Sequence, residues 1–504
     1  MKQALKIPTE DIMRFADRFS LGRDRGMSSR QFLRIKVPAG VLTSEHLRVI
    51  ADLSDRYGRG YAEITDRQDI QLHWIQGKDG PEIFAKLDEL GFTTDKCGQS
   101  YPGARYGDTR NVVVCPATGV NKHELIDVAP LAKKINDFFI GNLDYLDLPR
   151  KFKISITGCE LCCTRPEMQD LGLFAVKRDG EVGFAAIVGG ALGPSQPGPR
   201  LGKPLGVFIR PEEVFDVAKT MVDLFKEHGN RESKAKARFK WLVETWGLEK
   251  IRDEFERKLG QKLERFEHGY PEVSGEEHAG VHDQKDGKNF ICVPVDGGVL
   301  SSERLRSIAD ISDEFGEGKI RVTPYHNFIL PHVQKDKLGA ALKQLGEIGL
   351  PVEGSLLRWT IVACASDFCG KSVKPHPKQV AKRIVERLES RFGEKLSDLK
   401  LLIHLSGCMH DCGLHHIGHI GMLGVKAAGG DGVKQAYNLA VGGELGVKSS
   451  LSQTLKRMLT PDQVVVMVEN LVAACLKEGF KDFGEFCRAH PLDAIKSIAS
   501  EGVK

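Results

Sequence analysis

The sequence predicts an α+β protein that is internally duplicated, and three observations support this prediction. The segment from Phe32 aligns without a gap on the segment from Phe290, and each reads as a small unit of the split βαβ type. A second repeat relates the segment from Ile154 to the segment from Ile403. The chain has 504 residues, which is too long for a single hydrophobic core. Gene duplication followed by divergence is the simplest explanation.

The first repeat predicts the same order of elements in each copy. An alternating strand leads through a glycine turn to a helix that begins after Thr43 in the first copy and after Ser301 in the second. Two short strands come next. A further helix is predicted near Pro81–Leu90 and again near Lys335–Ile348.

The second repeat aligns cysteines of the two halves. Cys159 falls on Cys408 and Cys163 falls on Cys412, and the same register puts Cys115 on Cys364. The second half has one more cysteine, Cys369, where the first half has Val120. The second half therefore has two cysteine pairs, and the first half has lost one of the four positions.

The composition is typical of a soluble globular protein. Apolar residues make up 41% and charged residues 28%, as in soluble globular proteins, and the formal net charge is only +4. We therefore expect neither nucleic acid nor a membrane as a partner. No run of about 18 apolar residues is present, and the first residues lack the apolar stretch of a signal peptide, so we expect a cytoplasmic protein. In that compartment the twelve cysteines are not expected to form disulfides.

The two cysteine pairs of the second half predict a metal centre. Four thiolates can bind one centre, and the pairs lie beside glycine-containing turns. Structural zinc usually prefers two residues inside each pair, whereas four residues separate Cys364 from Cys369 and three separate Cys408 from Cys412. This spacing favours a larger cluster over a single tetrahedral ion.

The cysteine motifs resemble those of a known family. SGCMHDCG with the downstream GHIGMLG is similar to a motif of assimilatory sulfite and nitrite reductases, and ACASDFCG resembles their first cluster pair. The resemblance implies sirohaem and a 4Fe–4S cluster, with Cys364, Cys369, Cys408 and Cys412 as ligands and Cys412 as the bridge to the sirohaem iron. Met409 and His410 replace the family's usual Pro-Asn, so His410 is expected to take over a contact with the macrocycle.

The resemblance covers about Arg23 to Leu471 and implies the architecture. Its parts are two ferredoxin-like half-domains plus two larger α/β sirohaem/iron–sulfur lobes with pseudo-twofold symmetry. The expected boundaries are an N-terminal extension at 1–30, a half-domain at 31–95, a sirohaem-binding lobe with the substrate pocket at 96–265, a linker at 266–288, a half-domain at 289–352, and a 4Fe–4S/sirohaem lobe at 353–504.

Basic residues of the first half match family positions for binding anions. Sirohaem carries many carboxylates and the substrate is an anion, so such a site needs fixed cations. The resemblance implies a catalytic set of Arg34, Arg110, Lys151 and Lys153. It also implies cofactor contacts from Arg67, Gln71, His73, Arg238, Lys240 and His410, with Lys36 and Arg231 as weaker candidates.

The expected function is the six-electron reduction of sulfite to sulfide at a sirohaem iron next to a 4Fe–4S cluster. Nitrite reduction to ammonia, or both activities, is the alternative, and Lys153 favours sulfite because nitrite-specific plant-type members tend to have Asn there. A cobalamin-pathway relative or a non-catalytic electron-transfer module is more distant. No glycine-rich dinucleotide loop is evident, so electrons are expected from a ferredoxin or a flavoprotein.

Three further features remain open. The cysteines of the first half are either a vestigial site or a second metal centre that uses Cys162 or Cys97. The histidines after Cys412 favour packing or support of the cluster over a zinc site. The expected docking rim for the electron donor consists of Lys371, Lys374 and Lys378.

Overall fold

A computed structural model describes residues 21–23, 30–92, 107–275, 277–365, 374–429 and 432–503. Its helices, α1 to α12 in chain order, are Ser44–Tyr57, Gly80–Glu89, Ala129–Phe139, Val214–His228, Phe239–Leu259, Ser302–Phe315, Leu338–Glu347, Leu357–Thr360, Pro377–Phe392, Pro461–Lys477, Phe483–Ala489 and Leu492–Ser500. None of these described helices is long and apolar enough to cross a membrane.

The described strands, β1 to β22 in chain order, form four five-stranded sheets and one two-stranded sheet. They are Leu21–Arg23, Gln31–Ile35, Val41–Thr43, Tyr61–Ile64, Ile70–Ile75, Val113–Val114, Ile154–Thr157, Leu171–Arg178, Glu181–Val188, Lys203–Pro204, Val207–Phe208, Glu264–Arg265, Gly280–Asp283, Asn289–Val293, Val299–Ser301, Lys319–Val322, Phe328–Val333, Val362–Ala363, Ile403–Ser406, Ile420–Gly429, Gly432–Val441 and Gln453–Leu459.

The first repeat folds into two half-domains whose elements match one for one. The bounds of β2, β3, α1, β4, β5 and α2 recur in the same register as β14, β15, α6, β16, β17 and α7. The predicted helix starts are confirmed, because the hydroxyl of Thr43 accepts from the backbone N–H of His46 and that of Ser301 accepts from Arg304. The duplicated α+β fold predicted from the sequence is therefore confirmed.

The two half-domains exchange a strand. In the first sheet the order is β1-β2-β5-β4-β15, so the last strand comes from the second half. In the matching sheet, β13-β14-β17-β16-β3, the last strand comes from the first half. The exchange is reciprocal, and a single hydrophobic core spans both half-domains from Leu33 to Leu350.

Surface ion pairs repeat the same symmetry between α1 and α6. Arg48 of α1 binds Asp310 and Asp313 of α6 at 2.5 and 2.7 Å. In the mirror arrangement, Arg306 binds the carboxylates of α1 at 2.6 and 2.7 Å. Each pair is exposed and contributes little on its own. Their reciprocity shows that the two copies face each other across a pseudo-twofold axis.

The two lobes are built on the second repeat. The sheet orders β6-β7-β8-β9-β10 and β18-β19-β20-β21-β22 have the same topology. In each sheet the first three strands are parallel and the fourth is antiparallel. Because the carboxyl ends of parallel strands meet at one edge, the loops after β6 and β7, and those after β18 and β19, lie side by side.

The segment between the halves takes part in the fold. The strand β13 lies inside the predicted linker 266–288 and pairs with β14. In this pairing Gly280 lies opposite Cys292, and Asp283 lies opposite Asn289. Just before it, His278 is buried. The linker residues therefore contribute structure to the second half-domain, and the predicted boundaries stay a prediction.

Candidate functional site

A large cavity lies where the two lobes and the first half-domain meet. It consists of two adjoining parts of about 600 and 340 Å³. The parts share a wall formed by Lys151 and Lys153, which precede β7, and by the loop after β19 that carries Cys408 and Cys412. The site therefore combines the basic residues of the first lobe with the cysteines of the second.

The loop after β19 is held in a tight conformation. The Asp411 carboxylate accepts from the hydroxyl of Ser406 at 2.8 Å and from the backbone N–H of His415 at 2.6 Å. At Gly413 any Cβ would lie 1.8 Å from the carbonyl oxygen of Leu405, so only glycine fits. These contacts fix the positions of the flanking cysteines.

Three of the four predicted cluster ligands lie together at this edge of the sheet. Cys364 follows β18, and its sulfur accepts from the backbone N–H of Gly407 at 3.1 Å. Cys364, Cys408 and Cys412 all line the smaller part of the cavity. Cys369 lies outside the described residues. A set of thiols at a cavity wall, with a backbone donor on one sulfur, fits an iron–sulfur cluster.

The four predicted catalytic residues all line the smaller part of the cavity. Arg34 of β2 donates to the side-chain oxygen of Gln71 on β5 from Nε and Nη2, at 3.2 and 2.8 Å. Arg110 donates to the carboxylate of Asp108. Because these partners fix the two guanidinium groups, the cations are held in place before any anion binds.

The two lysines of this wall are poorly solvated and surrounded by cations. Burial, followed by the charges of Lys153, Arg238 and Arg110, holds the pKa of Lys151 well below its ordinary value. Burial also lowers the pKa of Lys153 to about 8, although the carboxylate of Asp66 opposes the shift. With a pKa of about 8, Lys153 can gain and lose a proton near neutral pH, which suits proton transfer.

Arg67 and Arg238 are the buried arginines of the cavity wall. Arg67 donates from Nη1 to the side chain of Gln169 at 2.7 Å, and Arg238 donates from Nη2 to Asp170 at 2.8 Å. The Nε atoms of both arginines are buried and have no hydrogen-bond partner within the described part of the chain. Asp170 also accepts from the backbone N–H of Lys153 at 2.8 Å. Buried, unpartnered donors fit a macrocycle that carries carboxylates.

His73 lies in a buried chain of charged groups that sequence analysis missed. Its Nε2 is 2.9 Å from one carboxylate oxygen of Glu63, and Lys378 Nζ is 2.7 Å from the other. Burial alone would raise the pKa of Glu63, but the charges of Lys378 and His73 outweigh it and hold that pKa below its ordinary value. All three residues line the cavity.

The pairing of Lys378 with Glu63 corrects the predicted docking rim. Lys378 is the first-turn lysine of α9, only 13% of its side chain is exposed, and it is bound to Glu63 in the interior. A lysine that is only 13% exposed and is paired with a buried carboxylate does not form part of a solvated rim. Lys374 is exposed, and Lys371 lies outside the described residues.

Lys240 lies behind the cavity wall. Its amine donates to the carbonyl oxygens of Ala191 and Gly193, at 3.2 and 2.8 Å, and to that of Gly198. Burial lowers its pKa to about 7. Ala191 and Gly193 line the larger part of the cavity, whereas Lys240 is not among its described lining residues. The structure therefore places Lys240 as a support of this loop.

The other candidates are spread more widely. His410 is exposed and lines both parts of the cavity, and its contact with the macrocycle stays a prediction. Arg231 donates to the carbonyl oxygens of Asp147 and Lys226, at 2.7 and 3.2 Å, and is not among the described lining residues. Lys36 is buried beneath the sheet surface, 3% exposed, and is likewise not among them.

Sequence reasoning also missed acidic and basic wall residues. Asp66 and Asp69 flank Arg67 and Gln68 in the sequence, and both line the smaller part of the cavity. Burial raises the pKa of Asp69 to about 6, against the opposing charge of Arg34. Arg150 directly precedes Lys151 and lines the larger part. These residues could have been found from the sequence, because they are direct neighbours of the basic motifs around Arg67 and Lys151.

Comparison with known proteins gives consistent matches. A model of the nitrite and sulphite reductase 4Fe-4S domain matches residues 106–263 and 359–482. A model of the nitrite/sulfite reductase ferredoxin-like half domain matches residues 26–90 and 282–348.

Individual relatives match over most of their length. The assimilatory ferredoxin-dependent nitrite reductase of Haloferax mediterranei is 32% identical over 501 residues, covering 93% of this chain and 84% of the relative. Sulfite reductase [ferredoxin] 2 of Mycolicibacterium paratuberculosis is 30% identical over 460 residues, covering 90% and 80%. The structure of the NirA protein of Mycobacterium tuberculosis matches with a TM-score of 0.87 and 26% identity, covering 98% of this chain and 93% of that one.

Proposed function

Because the chain belongs to the nitrite and sulphite reductase family, we propose that it reduces sulfite to sulfide in the cavity between its lobes. As a member of the family it is an oxidoreductase that uses sirohaem and a 4Fe–4S cluster. The observation that carries the choice of substrate class is that Arg34, Arg110, Lys151 and Lys153 line the same cavity as Cys408 and Cys412. Two arginines and two lysines that line one cavity favour a small anion.

The residues fit both cofactors. Cys364, Cys408 and Cys412 supply thiol ligands for the cluster, and Cys369 is proposed as the fourth. The unpartnered Nε atoms of Arg67 and Arg238 are proposed to meet carboxylates of the sirohaem. When bound, these groups supply electrons and an iron site for the anion, and the redox chemistry belongs to them.

The protein's own residues bind the anion and supply protons. Arg34 and Arg110, fixed by Gln71 and Asp108, hold and neutralise the anion through their guanidinium groups. Lys153, whose pKa lies at about 8, is protonated at neutral pH and can give up its proton to a departing oxygen. Six electrons and several protons are needed for each sulfite, so reprotonation must be repeated.

The electron donor is proposed to be a ferredoxin. The names of the relatives from Haloferax mediterranei and Mycolicibacterium paratuberculosis both specify ferredoxin. A flavoprotein donor remains the alternative from the sequence. Lys378 is not part of the docking surface, because it is paired with Glu63.

Nitrite is the second candidate substrate. It is favoured by the 32% identity to a nitrite reductase over 93% of the chain. Nitrite carries one negative charge and sulfite two when fully ionised, so both fit a basic wall.

Steady-state rates with both anions test the proposal. Purified enzyme with a sirohaem absorption spectrum should turn over sulfite with reduced methyl viologen and with reduced ferredoxin, and its kcat/KM for sulfite should exceed that for nitrite. A higher kcat/KM for nitrite would make nitrite the substrate. Fully loaded enzyme that reduces neither anion would refute the proposed function.

A further inference from the structure

A second cluster of metal-binding side chains lies in the first lobe, away from the cavity. The sulfurs of Cys115 and Cys163 and one ring nitrogen of His278 all lie within 4.8 Å of one another. The Cys115 sulfur is 3.2 Å from His278 Nε2. Each residue is at most 3% exposed. None of them is among the described residues that line the cavity, so the reductase site leaves this cluster without a role.

The two sulfurs occupy the positions that correspond to cluster ligands in the second lobe. Cys115 follows β6 as Cys364 follows β18, and Cys163 lies in the loop after β7 as Cys412 lies in the loop after β19. The fold therefore brings thiols together at this edge of the sheet in both lobes. The first lobe has Val120 in place of the fourth cysteine, and the segment between the halves supplies His278 instead.

Cys159 is the available fourth ligand. It is 2% exposed and occupies the position that corresponds to Cys408. Its sulfur lies outside the group of Cys115, Cys163 and His278 ligand atoms that are within 4.8 Å of one another, so its side chain must move further than theirs to reach the ion. Its sulfur accepts from the side-chain amide of Asn121 at 3.3 Å, a contact that orients thiolate ligands in metal sites.

We propose that Cys115, Cys159, Cys163 and His278 bind a single zinc ion. Three thiolates and one imidazole form a ligand set of structural zinc, whereas a 4Fe–4S cluster takes four thiolates. Zinc–sulfur and zinc–nitrogen bonds of about 2.3 and 2.0 Å place neighbouring ligand atoms roughly 3.5 to 3.8 Å apart in a tetrahedron. The separations among Cys115, Cys163 and His278 are near this range, so these three can bind the ion with small side-chain rotations, and Cys159 completes the set by turning towards them.

The ion would join the first lobe to the segment between the halves. His278 lies on that segment, just before β13, whereas the three cysteines belong to the first lobe. With four protein ligands and no open position, the ion would be structural. The neighbouring thiols do not belong to the set, because Cys162 packs against Phe174 and Val176, and Cys292 contacts Glu277 at 3.6 Å.

The test is the metal content of the full-length holoenzyme from zinc-supplemented cells, measured by plasma mass spectrometry. We expect close to a single zinc ion per chain in addition to the iron of the cofactors. X-ray absorption at the zinc edge should show mostly sulfur ligands with one nitrogen. Cys115→Ser and His278→Asn should each lower the zinc content to background. Cys162→Ser, a matched change at an adjacent buried thiol, should leave it unchanged.

Iron and sulfide contents are measured on the same samples, and they separate this proposal from the proposed function. Because Cys115 lies in the core, Cys115→Ser can fail to fold, and His278→Asn on a different segment then gives the answer. Zinc at background in wild-type enzyme with full iron content would overturn the proposal. Zinc retained by both ligand variants, or a Cys115–Cys163 disulfide found by thiol counting, would overturn it as well.

Discussion

Replacing Lys153 by Asn should shift the enzyme's preference away from sulfite. The substitution removes one basic side chain from the cavity that Arg34, Arg110 and Lys151 also line, and it keeps a hydrogen-bond donor. Fully ionised sulfite has two charges and nitrite has one, so the lost attraction is about twice as large for sulfite. We therefore expect both values of kcat/KM to fall, and that for sulfite to fall further.

The magnitude follows from the cost of losing one charged contact. Two unit charges 4 Å apart attract by about 4 kcal/mol at an effective dielectric constant of 20, and desolvation reduces the net value to about 1.5–3 kcal/mol. The extra charge of sulfite is worth one such contact. The ratio of kcat/KM for sulfite to that for nitrite should therefore fall by roughly one to two orders of magnitude.

The assay is steady-state turnover with reduced methyl viologen, which removes donor docking from the measurement. Lys153→Arg should retain most of the preference because it keeps the charge, and Lys203→Asn, at an exposed lysine outside the described cavity lining, should change neither rate. An equal fall for both anions in Lys153→Asn would refute the reasoning. Lys153 would then act as a cofactor contact or a general proton donor, and the argument for sulfite would lose its basis.

Three other predictions concern Lys153, Glu63 and Cys412. Because the pKa of Lys153 is lowered to about 8, its charge is present below that pH and is lost above it, so kcat/KM for nitrite should decline as pH rises through about 8 and Lys153→Arg should remove the decline. Glu63→Gln removes the buried carboxylate that pairs with Lys378, at a cost of about 3 kcal/mol because the lysine keeps some contact with solvent, and should lower the Tm in scanning calorimetry, whereas Lys382→Ala on an exposed part of α9 should not. Cys412→Ser should lower cluster iron and sulfide and change the sirohaem spectrum, and unchanged values in all three measurements would contradict its assignment as a ligand.

Local features of the sequence were sufficient for the elements of the fold. Thr43 and Ser301 marked two helix starts because the capping contact involves only the next few residues. The duplicated register fixed the second copy once the first was interpreted. The exchange of β3 and β15 could not be predicted from the sequence, because the repeated sequence is the same whether a strand pairs within its own copy or with the other copy.

The candidate site was predictable where a motif carried it. The cysteines of the second half and the basic residues near Arg67 and Lys151 could be found from short motifs. The role of Lys378 could not, because an isolated lysine in a polar helix usually indicates a solvated surface, and its partner Glu63 is far away in the sequence. His278 was missed for the same reason, since it lies in a segment whose polarity indicated a linker.

The duplication also explains why each lobe supplies only half of the proposed site. In the first lobe Lys151 and Lys153 line the cavity, whereas the corresponding positions of the second lobe are Lys400, 3.9 Å from Asp482, and buried Leu402. In the second lobe Cys412 is exposed at the cavity, whereas the corresponding Cys163 is buried. A cluster next to a basic anion pocket requires both kinds of wall at one interface. The first lobe supplies the basic residues and the second supplies the exposed cysteines, so neither lobe can form the proposed site alone. The reciprocal strand exchange between the half-domains connects the two copies.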